Sequence, residues 1–189
     1  MELKFRENGI VCLRGVKNYE IIPNKMKANG EKICFRNFEG RKEKWNDAGN
    51  RNFTLSLPED IATELNERGF NVRMKTTETQ DGPRTYYNLK VNLKYYGAQY
   101  DPKVYFMQAD GGHTVLDENS VKLLDDMRFA EVAMDIYPKT YIDMKTGEEK
   151  ISARLNKLLF TQEVDDFERE FALTSSESTS LPEDDDLPF

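Results

Sequence analysis

The clearest structural signal in the chain is the stretch YYNLKVNLKY, residues 86–95, in which apolar and polar side chains alternate. Successive side chains of a β-strand point to opposite faces of a sheet. Leu89, Val91 and Leu93 would therefore pack in a core, with two tyrosines in the same phase. The opposite face would present a mixed set of tyrosine, asparagine and lysine side chains: Tyr86, Asn88, Lys90, Asn92 and Lys94.

Shorter alternating runs on both sides of this stretch predict further strands, separated by turn-forming residues. Residues 31–56 are typical of a long hairpin with a polar loop, and residues 71–75 would pair with the central strand. Residues 1–30 hold two short apolar runs, which predict short strands or an N-terminal extension lying on the body. Toward the C-terminus, strands are predicted at residues 103–107, 129–136 and 150–159, and a loop at 109–114.

Two short helices are predicted between the strands. Ser56 and Glu59 have the spacing of a capping box, and Gly69 supplies a stop, so a helix is expected at residues 58–68. Val121 and Leu124 share helical spacing within residues 117–127, which predicts the second helix. The fold class is therefore mainly β, with two short helices.

Composition divides the 189 residues into a body and a tail. Residues 163–189 hold ten acidic groups and one basic group, whereas residues 1–162 carry a net charge of about +2 within a total of -7. We expect one domain at residues 1–162 and a disordered acidic tail at 163–189, which includes a Ser/Thr-rich linker. A slightly basic body with an acidic tail is consistent with a protein that binds a polyanion.

Several classes of protein are not supported by the sequence. Cys12 and Cys34 are too few for a disulfide framework, and with the single histidine, His113, they lack the spacing of a zinc site. No apolar run is long enough to span a membrane, and the N-terminus lacks the apolar core of a signal peptide. We therefore expect a cytoplasmic protein without a cofactor and without a membrane partner.

The chain ends in an acidic and apolar tip that follows directly after Glu183. Leu187 and Phe189 stand in water beside like charges, an arrangement suited to docking into a pocket with a basic rim. The ending resembles the C-terminal tip of bacterial single-stranded DNA-binding proteins, where Asp-Asp-Asp-(Ile/Leu)-Pro-Phe closes the chain. The residues that carry the resemblance are Asp184, Asp185, Asp186, Leu187, Pro188 and Phe189.

This resemblance implies a single-stranded DNA-binding protein whose tip recruits replication and repair proteins of the host or of a phage. It favours an OB-fold-like antiparallel barrel, although the strand pattern alone would also permit a sandwich. The body departs from the bacterial family, which suggests a divergent, bacteriophage-like form acting in DNA replication, recombination or repair in the cytoplasm of a bacterial host. This departure argues against carrying the familiar tetramer over to this chain, while self-association into another homo-oligomer is compatible with it.

Binding of single strands requires cations for the phosphates and exposed aromatic rings for the bases. Trp45 lies in a basic loop and could stack on a base or anchor the loop on the barrel end. Alternating lysines on the central strand could contact phosphates or simply keep an exposed strand from aggregating. The candidate DNA-binding residues are Arg36, Arg41, Lys42, Lys44, Trp45, Arg51, Arg73, Lys75, Tyr86, Lys90, Lys94 and Tyr96.

Two other functions remain open at this point. The chain could be an adaptor that carries the tip without binding DNA. It could also be a metal-dependent nuclease built from Asp125, Asp126, Asp135 and Asp143, although no motif links these residues and a solvated helix face is the better explanation of them. No catalytic residue and no metal ligand is assigned, so a function in binding rather than catalysis is expected.

Overall fold

A computed structural model of the chain describes residues 1–7, 9–17, 33–108 and 111–163. The described part is mainly β, as predicted, with one α-helix, α1 at Glu59–Glu67, and 3-10 segments at Ala98–Tyr100 and Val121–Asp125. The strands are β1 Glu2–Phe5, β2 Val11–Lys17, β3 Ile33–Asn37, β4 Arg51–Leu57, β5 Val72–Thr79, β6 Gly82–Leu93, β7 Lys103–Met107, β8 His113–Leu116, β9 Phe129–Ile142 and β10 Glu149–Gln162.

One sheet joins all ten strands in the order β1-β2-β9-β10-β6-β4-β3, with β5 added to β6 and the β7–β8 pair added to β10. Strand β10 runs parallel to β6 and β7, and the other pairings are antiparallel. Within the described strands the path begins at β1 and ends at β3, and no pairing joins these two ends. A closed barrel is therefore not established by the strand pairing.

The long strand β6 organises the sheet because it pairs with three other strands. Its residues Leu89, Val91 and Leu93 are buried, which confirms the inward phase predicted from the alternation. The core beneath it also contains stacked Phe38 and Phe53 rings, whose centroids lie 5.3 Å apart. Burial of such side chains contributes roughly 1.5–3 kcal/mol each to folding, so the inner face of β6 fixes which residues face outward.

The N-terminal strands are part of this sheet rather than a separate layer. Strand β2 pairs with β9, Val11 lying opposite Ile136, and Val11, Leu13 and Val16 are completely buried or nearly so. Of the two alternatives for residues 1–30, the structure shows strands in the first half. The predicted apolar run at residues 19–22 lies outside the described residues, as does the tail from residue 164 onward.

The helix prediction at residues 58–68 is confirmed by α1, but its predicted cap is wrong. Ser56 lies within β4 opposite Asn88, and Pro58 occupies the N-cap position without a side-chain cap bond. The strand continues to Leu57 because this residue packs in the core, so Ser56 cannot turn back to cap the helix.

The second predicted helix is instead a 3-10 segment, Val121–Asp125. The Asp125 carboxylate accepts hydrogen bonds from the backbone N–H groups of Phe38, at 2.7 Å, and Glu39, at 3.0 Å. Arg36 donates to the carbonyl oxygens of Leu124 and Met127. These bonds to the β3–β4 hairpin hold the segment in a short turn, which extra α-helical turns would disrupt. The loop predicted at residues 109–114 is also wrong in part, because strand β8 begins at His113.

In strand β3, regular alternation is interrupted by an irregularity between Cys34 and Asn37. Phe35 adopts the left-handed backbone conformation, with a φ of 50°, and its side chain is 80% exposed. The interruption allows both Ile33 and the adjacent pair Asn37 and Phe38 to be buried.

None of the helices in the described residues has the length and apolar character needed to cross a membrane.

Candidate nucleic-acid interface

A row of polar and aromatic side chains crosses three strands on the outer face of the sheet. Asn92 of β6 lies opposite Arg154 of β10, and Arg154 lies opposite Tyr137 of β9. The neighbouring inward residues Val91 and Ala153 are buried, so the row stands on the face turned away from the core. Neighbouring strands are separated by about 4.8 Å, and the row is therefore a continuous strip about 10 Å wide.

Beside this row, three tyrosines surround a cleft of about 640 Å³. Tyr96, Tyr100 and Tyr137 are 56%, 72% and 43% exposed. The guanidinium carbon of Arg154 lies 5.0 Å from the centre of the Tyr96 ring, which places a cation on one ring face. Asp101 also borders the cleft, and its carboxylate accepts hydrogen bonds from the Tyr96 and Gly97 backbone N–H groups. Exposed rings beside a cation are the surface that unstacked bases require.

The β5–β6 hairpin extends this face into a two-stranded ribbon, residues 73–86. Arg73 lies opposite Asn88 and Lys75 lies opposite Tyr86, so all four share one face. The guanidinium carbon of Arg84 lies 5.5 Å from the centre of the Tyr86 ring. The ribbon is largely exposed, and its outer face combines cations with an aromatic ring.

Lys90 lies between the ribbon and the tyrosine cleft. Burial lowers the pKa of its ammonium group below the usual value, and the neighbouring charge of Arg73 lowers it further. Both effects disfavour the protonated form when no counter-ion is present. An anion placed here would reverse the second effect and stabilise the charge on Lys90.

The loop between β3 and β4 presents the predicted tryptophan to solvent. Trp45 is 85% exposed, and the ammonium nitrogen of Lys44 lies 5.1 Å from the centre of its ring. Asn46 fixes the loop by donating to the carbonyl of Asn50 at 2.8 Å and accepting from Asn52 at 2.7 Å. So exposed a ring does not anchor the loop by packing, and base stacking stays a prediction.

Three of the predicted arginines have partners within the protein, and each has at least one of them in residues 117–127. Arg36 bonds to two carbonyl oxygens of that segment, and Arg41 lies 3.7 Å from the Asp125 carboxylate. Arg51 bonds to Glu118 at 2.8 Å and lies over the Tyr95 ring. Burial raises the pKa of that Tyr95 hydroxyl to about 12, so it stays neutral. These contacts attach the β3–β4 hairpin to residues 117–127. Contact of the three arginines with DNA stays a prediction.

The predicted residues therefore fall into two groups. The outer face of β5 and β6 brings together Arg73, Lys75, Tyr86 and Lys90, and exposed Tyr96 follows three residues after the end of β6. The second group belongs to the hairpin formed by β3 and β4. Strand β4 begins at Arg51, which pairs with Leu93 at the C-terminal end of β6. That group comprises Arg36, Arg41, Lys42, Lys44, Trp45 and Arg51, while Lys94 is exposed directly after β6.

Sequence reasoning missed five residues of the outer face. The alternation of residues 150–159 already placed Ile151, Ala153 and Leu155 inward, which leaves Arg154 outward, and this signal was available. No local pattern indicates that β9 and β10 lie beside β6. The missed residues are Arg84, Tyr100, Tyr137, Lys139 and Arg154.

Three of the four acidic residues considered for a nuclease have separate partners in the described structure. Asp125 binds backbone N–H groups, Asp135 pairs with Arg14, and Asp143 pairs with Lys150. Within residues 1–7, 9–17, 33–108 and 111–163, no three His, Cys, Asp or Glu side chains are grouped so as to hold a metal ion. The geometry therefore gives no support to the nuclease alternative.

Comparison with solved structures found phage proteins of low sequence identity. The single-stranded DNA-binding protein from bacteriophage Enc34 in complex with ssDNA is 12% identical, with a TM-score of 0.45 over 84% of this chain and 89% of that one. The gp2.5 single-stranded DNA-binding protein of bacteriophage T7 is 8% identical, with a TM-score of 0.39 over 100% of both chains. No curated protein sequence matches the chain.

A family model does match, and it covers most of the chain. Residues 16–183 fit the family described as "Putative phage ssDNA-binding domain". The match includes the central strand, the ribbon and the tyrosine cleft, and it agrees with the resemblance noted at the C-terminal tip. The chain therefore belongs to the family of phage single-stranded DNA-binding domains.

Proposed function

We propose that this protein binds single-stranded DNA, independently of sequence, along the outer face of β5, β6, β10 and β9. The observation that carries the proposal is the row of Asn92, Arg154 and Tyr137, with exposed tyrosines at one end and the basic ribbon at the other. The cations would neutralise phosphates, and the rings would stack on bases.

Preference for single strands follows from the kind of contact that the tyrosines can make. A base stacks on a side chain only when its flat face is accessible, and in a duplex these faces are covered by neighbouring base pairs. Stacking does not depend on base identity because every base has a π-face. We therefore infer weak dependence on sequence and strong discrimination against duplex DNA.

We further propose that this binding serves phage DNA replication, recombination or repair inside a bacterial host. The family membership and the acidic tip support this role. In this proposal the sheet is an OB-like barrel, the tip at residues 184–189 recruits replication and repair proteins, and the chain acts by binding rather than by catalysis. Self-association is compatible with the proposal but is not required by it.

Titration of labelled oligo(dT) at several salt concentrations tests the proposal. We expect log K to fall linearly with log salt, with a slope of about -0.7 for each phosphate neutralised. Arg154→Gln should make that slope shallower by about 0.7, whereas Lys122→Gln, an exposed cation on the 3-10 segment, should not. Equal affinity for duplex and single strands, or no dependence on salt, would contradict the proposal.

A further inference from the structure

A small cleft of about 240 Å³ lies on the outer face where β5, β6 and β10 meet. Arg73 and Lys90 border it from the ribbon side, and Ser152 borders it from β10. Asn71 and Tyr141 border its mouth, where the start of β5 meets the β9–β10 hairpin. None of the residues around this cleft carries a carboxylate. Its polar groups are therefore cations and neutral hydrogen-bonding groups, set among the apolar residues Leu89, Ile151 and Ala153.

The two cations of this cleft have no counter-ion within the described residues. Neither Arg73 nor Lys90 forms an ion pair with any residue of the described ranges. The pKa of Lys90 is lowered mainly by its partial burial and further by the like charge of Arg73. Such a pair is stabilised when an anion binds between its members.

Neutral side chains add directed hydrogen bonds to this charge. Asn71 donates to the Tyr141 hydroxyl oxygen at 2.7 Å, so that hydroxyl retains its own proton for another acceptor. Asn92 uses its side-chain nitrogen to donate to the Ala153 carbonyl at 3.3 Å, and the second hydrogen of its NH₂ group is available. A group with several acceptor oxygens and negative charge matches this set of donors.

We propose that the cleft is a subsite for one phosphate of the DNA backbone, bound by Lys90 and Arg73 and oriented by Tyr141 and Asn92. The inference deepens the proposed function and rests on it, because it assigns the phosphate contact that sets the position of the strand. The bound phosphate would lie near Arg154, because Lys90 is two residues before Asn92 on β6 and Asn92 lies opposite Arg154. The neighbouring base would then reach the tyrosine cleft.

The first experiment measures the pKa of Lys90 in the full chain by NMR with labelled lysine, with the signal assigned by Lys90→Arg. Inorganic phosphate, oligo(dT) and an abasic phosphodiester strand should each raise this pKa, because a bound anion stabilises the ammonium form. Lys122 serves as the internal control. A Lys90 shift no larger than the Lys122 shift in all three titrations would overturn the subsite.

The second experiment separates phosphate contacts from base contacts by measuring affinity for the abasic strand. Lys90→Gln should weaken this binding about tenfold, as expected for the loss of a charge-assisted hydrogen bond, and Tyr96→Ala should leave it unchanged. Lys122→Gln is the matched control, because it removes an exposed cation on the 3-10 segment, outside the proposed DNA-binding face. If Lys90→Gln weakens binding of the abasic strand no more than Lys122→Gln does, the subsite is wrong.

These measurements distinguish the two levels of the proposal. A rise in the Lys90 pKa with inorganic phosphate, together with no binding of oligo(dT), would support the anion site and refute single-strand binding. Tight binding of oligo(dT) that depends on Tyr96 but not on Lys90 would support single-strand binding and refute the subsite.

Discussion

Replacing Tyr96 by Ala tests the base-binding role of the tyrosine cleft directly. The ring is 56% exposed, so its removal should leave the fold intact. One of its faces is covered by the Arg154 guanidinium at 5.0 Å, which leaves the other face for a base. Stacking contributes roughly 1–3 kcal/mol per base. With a single face available we expect about 1–2 kcal/mol, equivalent to roughly a 5- to 30-fold weaker affinity for oligo(dT).

Fluorescence anisotropy of labelled oligo(dT), recorded over a range of salt concentrations, measures both affinity and charge contribution. Tyr96→Ala removes no charge, so the salt slope should remain that of the unchanged protein, while Arg154→Gln should reduce it by about 0.7. Tyr96→Phe retains the ring and should bind normally. The reasoning would be refuted if Tyr96→Phe lost as much affinity as Tyr96→Ala, or if Tyr96→Ala flattened the slope.

Four further predictions concern other parts of the chain. Trp45 fluorescence should be quenched by oligo(dT), and Trp45→Ala should weaken binding by roughly 1–3 kcal/mol; unchanged affinity would argue against stacking. Deletion of residues 183–189 should leave folding intact and should maintain or raise DNA affinity, most clearly at low salt. Phe189→Ala should abolish capture of host replication and repair proteins in a pull-down, and capture equal to that of the intact chain would contradict the docking role. Asp135→Ala should lower the free energy of unfolding by about 1–2 kcal/mol, because the charges left behind on Arg14 and Arg6 are partly exposed and screened by solvent. Urea denaturation measures this change, with exposed Asp126→Ala as the control.

The acid stability of the protein should depend on the same Asp135. Burial alone would raise the pKa of its carboxyl, but hydrogen bonds from Arg14 and Cys12 and the charges of Arg14 and Arg6 outweigh that effect and lower it. The stabilising contribution is then complete above the unfolded value near 3.8 and is lost as pH falls through the lower folded value. As pH falls below about 4, the Asp135→Ala variant should therefore lose less free energy of unfolding than the unchanged protein does. An identical dependence of stability on pH in the two proteins would count against this role of Asp135.

Local patterns predicted those parts of the fold in which neighbouring residues decide the structure. The alternation of residues 86–95 correctly placed Leu89, Val91 and Leu93 in the core, because the period of a strand is set by its own backbone. The hairpin of β3 and β4 and the helix α1 followed from equally local signals. The 3-10 segment did not, because Asp125 and Arg36 bind across elements that are distant in sequence.

The candidate site was predictable in part for the same reason. Lys90 belongs to the strongest strand pattern, residues 86–95, so its outward position could be inferred, and Tyr96 follows that pattern directly. Arg154 and Tyr137 join them only because β10 lies parallel to β6 and β9 pairs with β10, and no single stretch of sequence encodes that neighbourhood. Arg36 and Arg51 show the opposite case, in which a basic residue in a promising stretch is bonded within the protein.

The pairing of β2 with β9 has a consequence for how the chain reaches its native state. Val11 must find Ile136, a partner 125 residues further along the chain, and β10 completes the sheet only at residue 162. Loop closure over such distances slows folding to the millisecond-to-second range typical of non-local β topologies. During synthesis the buried side of β2 has no partner until β9 has left the ribosome, so the central sheet assembles only after translation of nearly the whole domain.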